Sequence, residues 1–440
     1  MATSDVRAPG VAPQQADDSF RESLWSATAH PGESCPPLTG SQKTDLAIVG
    51  AGYTGLAAAI TAVRQGMAVT VIDSHEPGFG ASGRNGGQVI PILKHGPTEL
   101  VAQYGATLGK AMSDVVSASA DAVFDLIQTY SIDCAPNRNG WVQAAHSPAA
   151  IPKIRHMYQQ LLDHGADVEW LDKELTSKAL GTRFYHSGWL HRGAGSVHPL
   201  NYARGLARAA ASLGARIHGG TSATRLAKDA DGWKLQTPQG ELRAARVLLA
   251  TNAYTADLWP GLRQSIVPLY SMQIATDPLP PELAASILPN AISVSDTRRV
   301  VRYFRKDAQG RLLIGTRGPF TARPSATHAK ALVRSAREMY PMLGDLPFPY
   351  LWAGPVAVTT DSVPHLHNPA PGLWAALGYN GRGVAMATLL GQVAAAACRD
   401  REALASRYPV TGITPIPMHA FHRIGVHAVV SYYRLLDRFH

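Results

Sequence analysis

The glycine-rich segment GAGYTG, residues 50–55, most restricts the fold that this chain can adopt. An apolar run over residues 45–49 predicts a buried strand before it, and residues 68–72 predict a second buried strand after an intervening helix. Asp73 and Ser74 follow the second strand, where a carboxylate accepts hydrogen bonds from ribose hydroxyls and disfavours a 2′-phosphate. The sequence therefore predicts a dinucleotide-binding βαβ unit that does not take NADP.

The three glycines of this segment have separate predicted roles. Gly50 permits the tight turn, Gly52 lets a pyrophosphate approach the backbone, and Gly55 lets the helix pack on the strand. Tyr53 and Thr54 open the helix, whose free N–H groups and positive end attract phosphate. A glycine-rich turn in an ordinary α/β unit is the alternative, and the motif alone does not separate FAD from NAD.

A second glycine-rich segment, GASGRNGGQ at residues 80–88, favours FAD. Beyond the pyrophosphate, FAD is longer than NAD, because its ribityl chain and isoalloxazine ring must pass through the protein. Glycines 83, 86 and 87 permit unusual φ angles along such a path, whereas a plain surface loop is the alternative. The residues of this segment predicted to contact the cofactor are Ala81, Ser82, Arg84, Asn85, Gly86, Gly87 and Gln88.

A third cluster, GYNGRGV at residues 378–384, precedes an alanine-rich helix. A helix N-terminus at this place could stabilise negative charge on a reduced flavin ring. The strand end at Thr251 and Asn252 could close over the adenylate half. The predicted contacts from the third cluster are Gly378, Asn380, Gly381, Gly383 and Val384.

Composition narrows the class of protein further. The 440 residues carry a net charge of +9, but no basic run with interleaved aromatics suggests nucleic-acid binding. Residues 46–63 lack charge, yet the glycine spacing and short strands argue against a transmembrane helix. Three scattered cysteines and the absence of a signal sequence predict a cytoplasmic location. No metal site is predicted, because the tail histidines lack a carboxylate or cysteine partner.

Seven segments together resemble one family of flavoproteins. The chain is similar to the D-amino-acid-oxidase-like superfamily of glycine and sarcosine oxidases, and within it to enzymes of the gamma-glutamylputrescine oxidase type. The GASGRNGGQ segment is the most specific. The matching segments are SLWSAT (23–28), VGAGYTGLAAA (49–59), GASGRNGGQ, LLATNAYT (248–255), VRYFR with GRLLIGTR (301–317), GYNGRGVA (378–385) and SYYRLLDR (431–438).

The resemblance implies an α/β fold in which a Rossmann-type FAD-binding domain is interleaved with a substrate domain built on a mixed antiparallel β-sheet. Apart from the resemblance, the Pro-, Ala-, Ser- and Gly-rich composition of residues 1–40 predicts a loose N-terminal arm, and a basic, amphipathic pattern predicts a C-terminal helix over 416–440. The FAD-binding domain is expected over 41–95, 146–264 and 346–415, and the substrate domain over 96–145 and 265–345. The backbone of Ala223 is expected at the adenine, and residues 267–276 on the substrate side.

The chain departs from the family pattern at its flavin anchors and its substrate arginine. Residues 351–355 hold no cysteine and the 80–88 segment no histidine, so non-covalent FAD is expected. Amino-acid oxidases of the group grip the substrate carboxylate with an arginine where this chain has Val356, and with a second one where it has Gly381. Arg302, Arg305 or Arg382 could replace them.

The lysines after Lys234 offer no oxygen-activating candidate, so the electron acceptor, oxygen or another, stays open.

These features predict oxidation of a primary or secondary amine. Hydride passes to flavin N5, and the resulting imine is hydrolysed. The predicted catalytic residues are Tyr270, Met272, Gln273 and Trp352, and the predicted substrate contacts are Val356, Tyr254, Tyr379 and Arg302. The alternatives are a D-amino-acid or imino-acid dehydrogenase and a catalytically silent flavin-binding protein. A homo-oligomer is compatible with the sequence.

Overall fold

The computed structural model describes residues 23–318, 323–400, 407–426, 430 and 432–433. The helices within these ranges are α1 Leu24–Thr28, α2 Tyr53–Arg64, α3 Pro97–Tyr104, α4 Ala106–Ser117, α5 Ser119–Thr129, α6 Ile151–Asp163, α7 Lys173–Leu180, α8 Pro199–Ser212, α9 Pro281–Ser286, α10 Ala326–Met339 and α11 Gly383–Arg399.

The strands in the same ranges form two large sheets and one small pair. They are β1 Gly40–Val49, β2 Val69–Ile72, β3 Gln88–Val89, β4 Trp141–Ala145, β5 Val168–Leu171, β6 Ser187–His191, β7 Gly195–Ser196, β8 Arg216–His218, β9 Arg225–Asp229, β10 Gly232–Gln236, β11 Gly240–Leu249, β12 Val267–Pro278, β13 Ser293–Asp296, β14 Arg302–Lys306, β15 Arg311–Arg317, β16 Tyr350–Val358, β17 His365–Ala370, β18 Leu373–Leu377 and β19 Val410–Thr411.

The first sheet contains the predicted βαβ unit. Its strand order is β19-β17-β18-β11-β1-β2-β8, with β10 on β11 and β9 on β10. Strand β1 runs parallel to both β2 and β11, and Leu46 pairs with Val69. The apolar ends of β1 and β2 are covered on both faces, as parallel strands require. The predicted strand, helix and strand are therefore confirmed.

The alanine-rich helix α11 packs against α2, as its small side chains predict. Ala385 and Ala394 on α11 share one buried core with Ala57 and Ala58 on α2. Small side chains let the two helix backbones approach closely, and Gly391 of α11 lies against the backbone of Thr54 and Ala58 of α2.

The second sheet is mixed, as expected for the substrate domain. Its order is β16-β12-β15-β14-β13-β4-β6-β5, and all neighbours are antiparallel except β13 and β4. One face of the sheet packs on α7 and α10 around Leu180, Leu332 and Phe304. The fold class predicted from the sequence is confirmed, because two sheets of the expected kinds alternate along the chain.

The sheets divide the chain differently from the predicted domain boundaries. Strands β5, β6 and β16 lie in the second sheet, although the ranges 146–264 and 346–415 were expected to belong to the FAD-binding domain. Helices α4 and α5, expected in the substrate domain, bury Met112 and Val123 in the core beneath the first sheet. The chain therefore crosses between the two sheets more often than the sequence indicates.

Glycines and turns divide three segments of the chain. Residues 97–129 form three helices, because Gly105 has φ +80° and ends α3. Residues 216–229 form two strands, β8 and β9, which are separated by residues 219–224. Residues 46–63 are a strand, a turn and a helix, and no described helix is long and apolar enough to cross a membrane.

The two ends of the chain are only partly covered. Residues 1–22 of the predicted arm lie outside the described residues. The rest of the arm is not loose, because Leu24 and Trp25 are fully buried. In the tail, a 3-10 turn at His419–Phe421 leads into helical residues 422–426. Residues 427–429, 431 and 434–440 of the predicted C-terminal helix lie outside the described residues.

Candidate functional site

One cavity of about 1680 Å³ runs between the two sheets. Its walls come from the turn between β1 and α2, the segment 80–88, strands β12 and β16, and the loop before α11. The glycine fingerprint and the predicted substrate side therefore face one continuous space. A cavity of this kind suits a long cofactor that extends from a nucleotide site towards a substrate.

Most of the predicted site residues line this cavity. They are Gly50, Gly52, Tyr53, Thr54, Asp73, Ser74, Ala81, Ser82, Arg84, Asn85, Gly86, Gln88, Ala223, Thr251, Asn252, Asn380, Gly381, Gly383, Val384, Tyr254, Tyr270, Val356 and Tyr379. The predicted site residues that do not line it are Gly55, Gly87, Met272, Gln273, Arg302, Trp352 and Gly378.

The fingerprint end has the geometry that a dinucleotide requires. Gly50 has φ +114°, which side chains other than glycine rarely adopt. A Cβ at Gly55 would overlap the carbonyl oxygen of Gly50, so Gly55 serves helix packing rather than the cavity wall. The Asp73 carboxylate accepts from Ala51 N at 2.7 Å and from His75 N at 2.9 Å. Its pKa is raised by burial, against the lowering effect of these two N–H groups.

The segment 80–88 closes on the N-terminus of α2. Ser82 Oγ accepts a hydrogen bond from Tyr53 N at 3.0 Å. This places the Ser82 hydroxyl beside the helix end that attracts phosphate, where it could donate to a phosphate oxygen. Gly87 has φ +71°, as the predicted path of the chain requires, whereas Gly83 and Gly86 do not have positive φ.

Two residues predicted to be catalytic hold the backbone of this segment instead of lining the cavity. Gln273 Nε2 and Trp352 Nε1 both donate to the carbonyl oxygen of Arg84, at 2.8 and 3.0 Å. Met272 is buried in the core of the second sheet, because alternate β12 side chains point to opposite faces. Of the four predicted catalytic residues, Tyr270 lines the cavity.

The next two carbonyl groups of the segment are held in the same way. Trp25 Nε1 donates to Asn85 O at 2.8 Å, and Arg305 Nε donates to Gly86 O at 2.7 Å. Arg305 also donates to Val197 O at 2.8 Å and does not line the cavity. It is therefore a support for the segment, and it does not replace the missing substrate arginine.

The amides of Asn85 and Gln88 are already engaged inside the protein. Asn85 Nδ2 donates to Ala81 O and Ser82 O, and its Oδ1 accepts from Gly87 N. Gln88 Nε2 donates to Val294 O and Phe304 O in the second sheet. These hydrogen bonds fix the shape of the segment, and both residues also line the cavity, so their contact with the cofactor stays a prediction.

The loop before α11 is fastened to the first sheet and to α2. Tyr379 OH lies 2.6 Å from Thr54 Oγ1, so this predicted substrate contact is held by α2. Gly378 N donates to Asn252 Oδ1 at 2.9 Å. This hydrogen bond holds the backbone of Gly378 outside the cavity lining. Gly383 and Val384 place the N-terminus of α11 at the cavity wall, where its dipole favours negative charge.

The expected substrate side is lined by Val356, Tyr270 and Tyr254. Val356 pairs with Leu269 across β16 and β12. Arg302 lies outside the cavity lining, and its guanidinium is 3.4 Å from the Glu338 carboxylate. Of the three arginines that could replace the missing one, Arg302 and Arg305 do not line the cavity. Arg382, in the loop before α11, does line it.

Six further cations on the cavity wall were not predicted from the sequence: Lys94, Lys153, Arg263, Arg298, Arg299 and Arg317. Lys94 follows the segment 80–88 closely in the sequence. Burial and the neighbouring cations lower the pKa of Lys94 to about 8. Lys306, one of the lysines after Lys234, is buried in β14, where it donates to Ala284 O, and it does not line the cavity.

Residues 45–397 match the family of FAD-dependent oxidoreductases designated DAO. The chain belongs to this family. It is 32% identical over 95% of its length to 97% of a probable oxidoreductase, OrdL, of Rhizobium meliloti. It is 27% identical over 94% of its length to 98% of gamma-glutamylputrescine oxidoreductase of Escherichia coli.

A solved structure of another DAO-family protein has the same fold. The glycine oxidase of Geobacillus kaustophilus has a TM-score of 0.67 and 24% identity, over 84% of this chain and 96% of that one. FAD is the cofactor of this DAO-family oxidoreductase. The fit rests on the glycine cradle, the Asp73 carboxylate and the Ser82 hydroxyl, all of which line the cavity. Among the described residues, no three His, Cys, Asp or Glu side chains are grouped to hold a metal.

Proposed function

We propose that the enzyme oxidises the C–N bond of a primary or secondary amine that has no carboxylate on its reacting carbon. The observation that carries the proposal is the position of Val356. It lines the cavity that also contains the FAD cradle, at the place where amino-acid oxidases of the superfamily carry an arginine. An unpaired carboxylate in a desolvated site is strongly disfavoured, so an apolar side chain there selects against an α-amino acid.

The chain's own residues would bind and orient the amine. When bound, FAD supplies a hydride acceptor, and the resulting imine is hydrolysed by water. Val356 and Tyr270 offer apolar and aromatic surface that can hold an alkyl amine and exclude water from the reacting carbon. Oxygen or another acceptor takes up the electrons in this proposal. The name of the Escherichia coli relative, which acts on an acylated diamine, supports an amine substrate.

A D-amino-acid or imino-acid dehydrogenase is the second candidate. Arg382 favours it, because this guanidinium lines the cavity and could hold a carboxylate from another wall. A catalytically silent flavin-binding protein is the third. It would retain the FAD cradle without turning over an amine.

Anaerobic mixing of the purified yellow protein with a library of amines and amino acids tests these candidates. Bleaching of the flavin absorption by alkyl or acylated amines, followed by recovery with an acceptor, is the expected result. Bleaching by D-amino acids alone would favour the second candidate. A bound flavin that stays oxidised with every compound of the library, yet can be reduced by light, would indicate a flavin-binding protein without amine turnover.

A further inference from the structure

A tyrosine near the end of the chain lines the cavity. Tyr433 belongs to its wall, whereas the other described residues of that wall lie between Val49 and Ala387. The match to the DAO family ends at residue 397. The wall of the cavity therefore includes a side chain from a C-terminal segment that lies beyond the matched residues.

Two hydrogen bonds fasten this C-terminal segment beside the cavity. Ile416 N donates to Gln264 O at 2.9 Å, and the buried His419 donates from Nε2 to Ile266 O at 2.8 Å. Gln264 and Ile266 directly precede β12, which supplies Tyr270 to the cavity wall. The segment is therefore attached to the backbone next to residues of that wall.

Tyr433 lies on the substrate side of the cavity. It is close enough to Arg317 to act on its guanidinium electrostatically. Arg317 of β15 pairs with Ser271 of β12, which pairs in turn with Gly354 of β16. Paired residues of antiparallel strands, and alternate residues along one strand, point to the same face of a sheet. Val356 therefore shares the face of Arg317, and Tyr433 lies next to that face.

The neighbouring tyrosine has a different environment. Tyr432 is 58% exposed and does not line the cavity, whereas Tyr433 is partly buried there. The centres of the two rings are 6.3 Å apart. Two identical side chains at adjacent positions thus differ in that one of them faces the cavity. An aromatic ring in the wall of a cavity offers apolar surface that a bound ligand can cover.

We propose that Tyr433 is a specificity-determining residue that contacts the substrate, with its ring covering the part of the amine furthest from the reacting C–N bond. This inference rests on the proposed amine oxidation. Two strand spacings, about 10 Å, separate β15 from β16, so an amine held at Val356 reaches Tyr433 only when its chain is several carbon atoms long. The C-terminal segment would then favour long amines over short ones, because each further buried methylene removes apolar area from water.

The test compares butylamine with octylamine as substrates of the holoenzyme. Tyr433→Ala should lower kcat/KM for octylamine roughly fivefold to 50-fold, mainly through a higher KM, because the apolar contact to the chain is lost. The same variant should leave kcat/KM for butylamine unchanged. Tyr433→Phe, which keeps the ring, should retain the wild-type value for octylamine.

Tyr432→Ala is the matched control, because it removes the same side chain from the adjacent, exposed position. It should leave kcat/KM for both amines unchanged. An equal loss for butylamine and octylamine in Tyr433→Ala would overturn the proposal, and so would an equal loss in Tyr432→Ala. Neither result would contradict amine oxidation itself.

A labelling experiment separates this contact from the proposed reaction. Tyr433→Cys and Tyr432→Cys are made in a Cys35→Ser background, since the other two cysteines, Cys134 and Cys398, are buried. Octan-1-ol, which has the alkyl chain but no C–N bond, should slow maleimide labelling of the holoenzyme at position 433 and not at position 432. Protection of position 433 supports the contact even if no amine reduces the flavin. Equal labelling of position 433 with and without octan-1-ol overturns it, whether or not octylamine reduces the flavin.

Discussion

The indole Nε1 of Trp352 donates a hydrogen bond to the carbonyl oxygen of Arg84 at 3.0 Å. The bond joins a strand of the second sheet to the glycine-rich segment 80–88. Gln273, Trp25 and Arg305 make three similar bonds to consecutive carbonyl groups of this segment. The segment has little side chain of its own to pack, so its position depends on donors from the second sheet and from α1.

Trp352→Phe should weaken FAD binding two- to tenfold, because it removes one of these donors, a bond worth about 0.5–1.5 kcal/mol. Fluorescence titration of the apoprotein with FAD measures the effect. Trp233→Phe is the matched control, since it also removes an indole donor to a backbone carbonyl, Pro371 O at 3.2 Å, outside the cavity lining. Equal FAD affinity in both variants would show that the Trp352 bond does not position the cofactor site.

Asp73→Ala should weaken FAD binding by about 1–3 kcal/mol, since one charged partner of the ribose hydroxyls is lost. The same titration measures it. Asp45→Ala is the matched control. Asp45 belongs to the same βαβ unit, and its carboxylate also accepts from a backbone N–H, that of Ala68, at 2.8 Å. That variant should retain FAD affinity. Unchanged affinity in Asp73→Ala would remove the ribose assignment.

The bound FAD should be non-covalent. Neither family anchor, a cysteine at 351–355 or a histidine in 80–88, is present. Acid precipitation of the yellow protein is therefore expected to leave all of the flavin absorption in the supernatant. Flavin colour in the washed pellet would disprove this.

Local sequence patterns brought the glycines at 50 and 52 and Asp73 together on paper, and the structure places them on one cavity wall. The glycines at 50–55, Asp73 and the helix N-termini depend on short-range rules of turn geometry and backbone dipoles, and those rules can be applied to adjacent residues. The two kinds of sheet followed from the family resemblance. The domain boundaries were less accurate, because β5, β6 and β16 cross to the second sheet without any change in composition.

To predict the substrate half of the site, one must know which way each side chain points. The sequence patterns did not give these directions. Gln273 and Trp352 looked like pocket residues, yet their donors are used on the backbone of Arg84. Lys94 and Arg317 come from distant parts of the chain and meet at the cavity through tertiary packing. The available signals were that Lys94 follows the 80–88 segment closely and that Arg317 is the last residue of GRLLIGTR.

The relation between Val356 and substrate choice is the central claim, and matched kinetics test it most directly. Butylamine and its α-carboxylated analogue, D-norvaline, are compared with wild-type holoenzyme and with Val356→Arg. A charged contact worth about 2–5 kcal/mol corresponds to roughly 30- to several-thousand-fold in kcat/KM. We predict a preference of that order for butylamine in the wild type, and a shift towards D-norvaline in Val356→Arg. A wild-type enzyme that oxidises D-norvaline faster than butylamine would contradict the account.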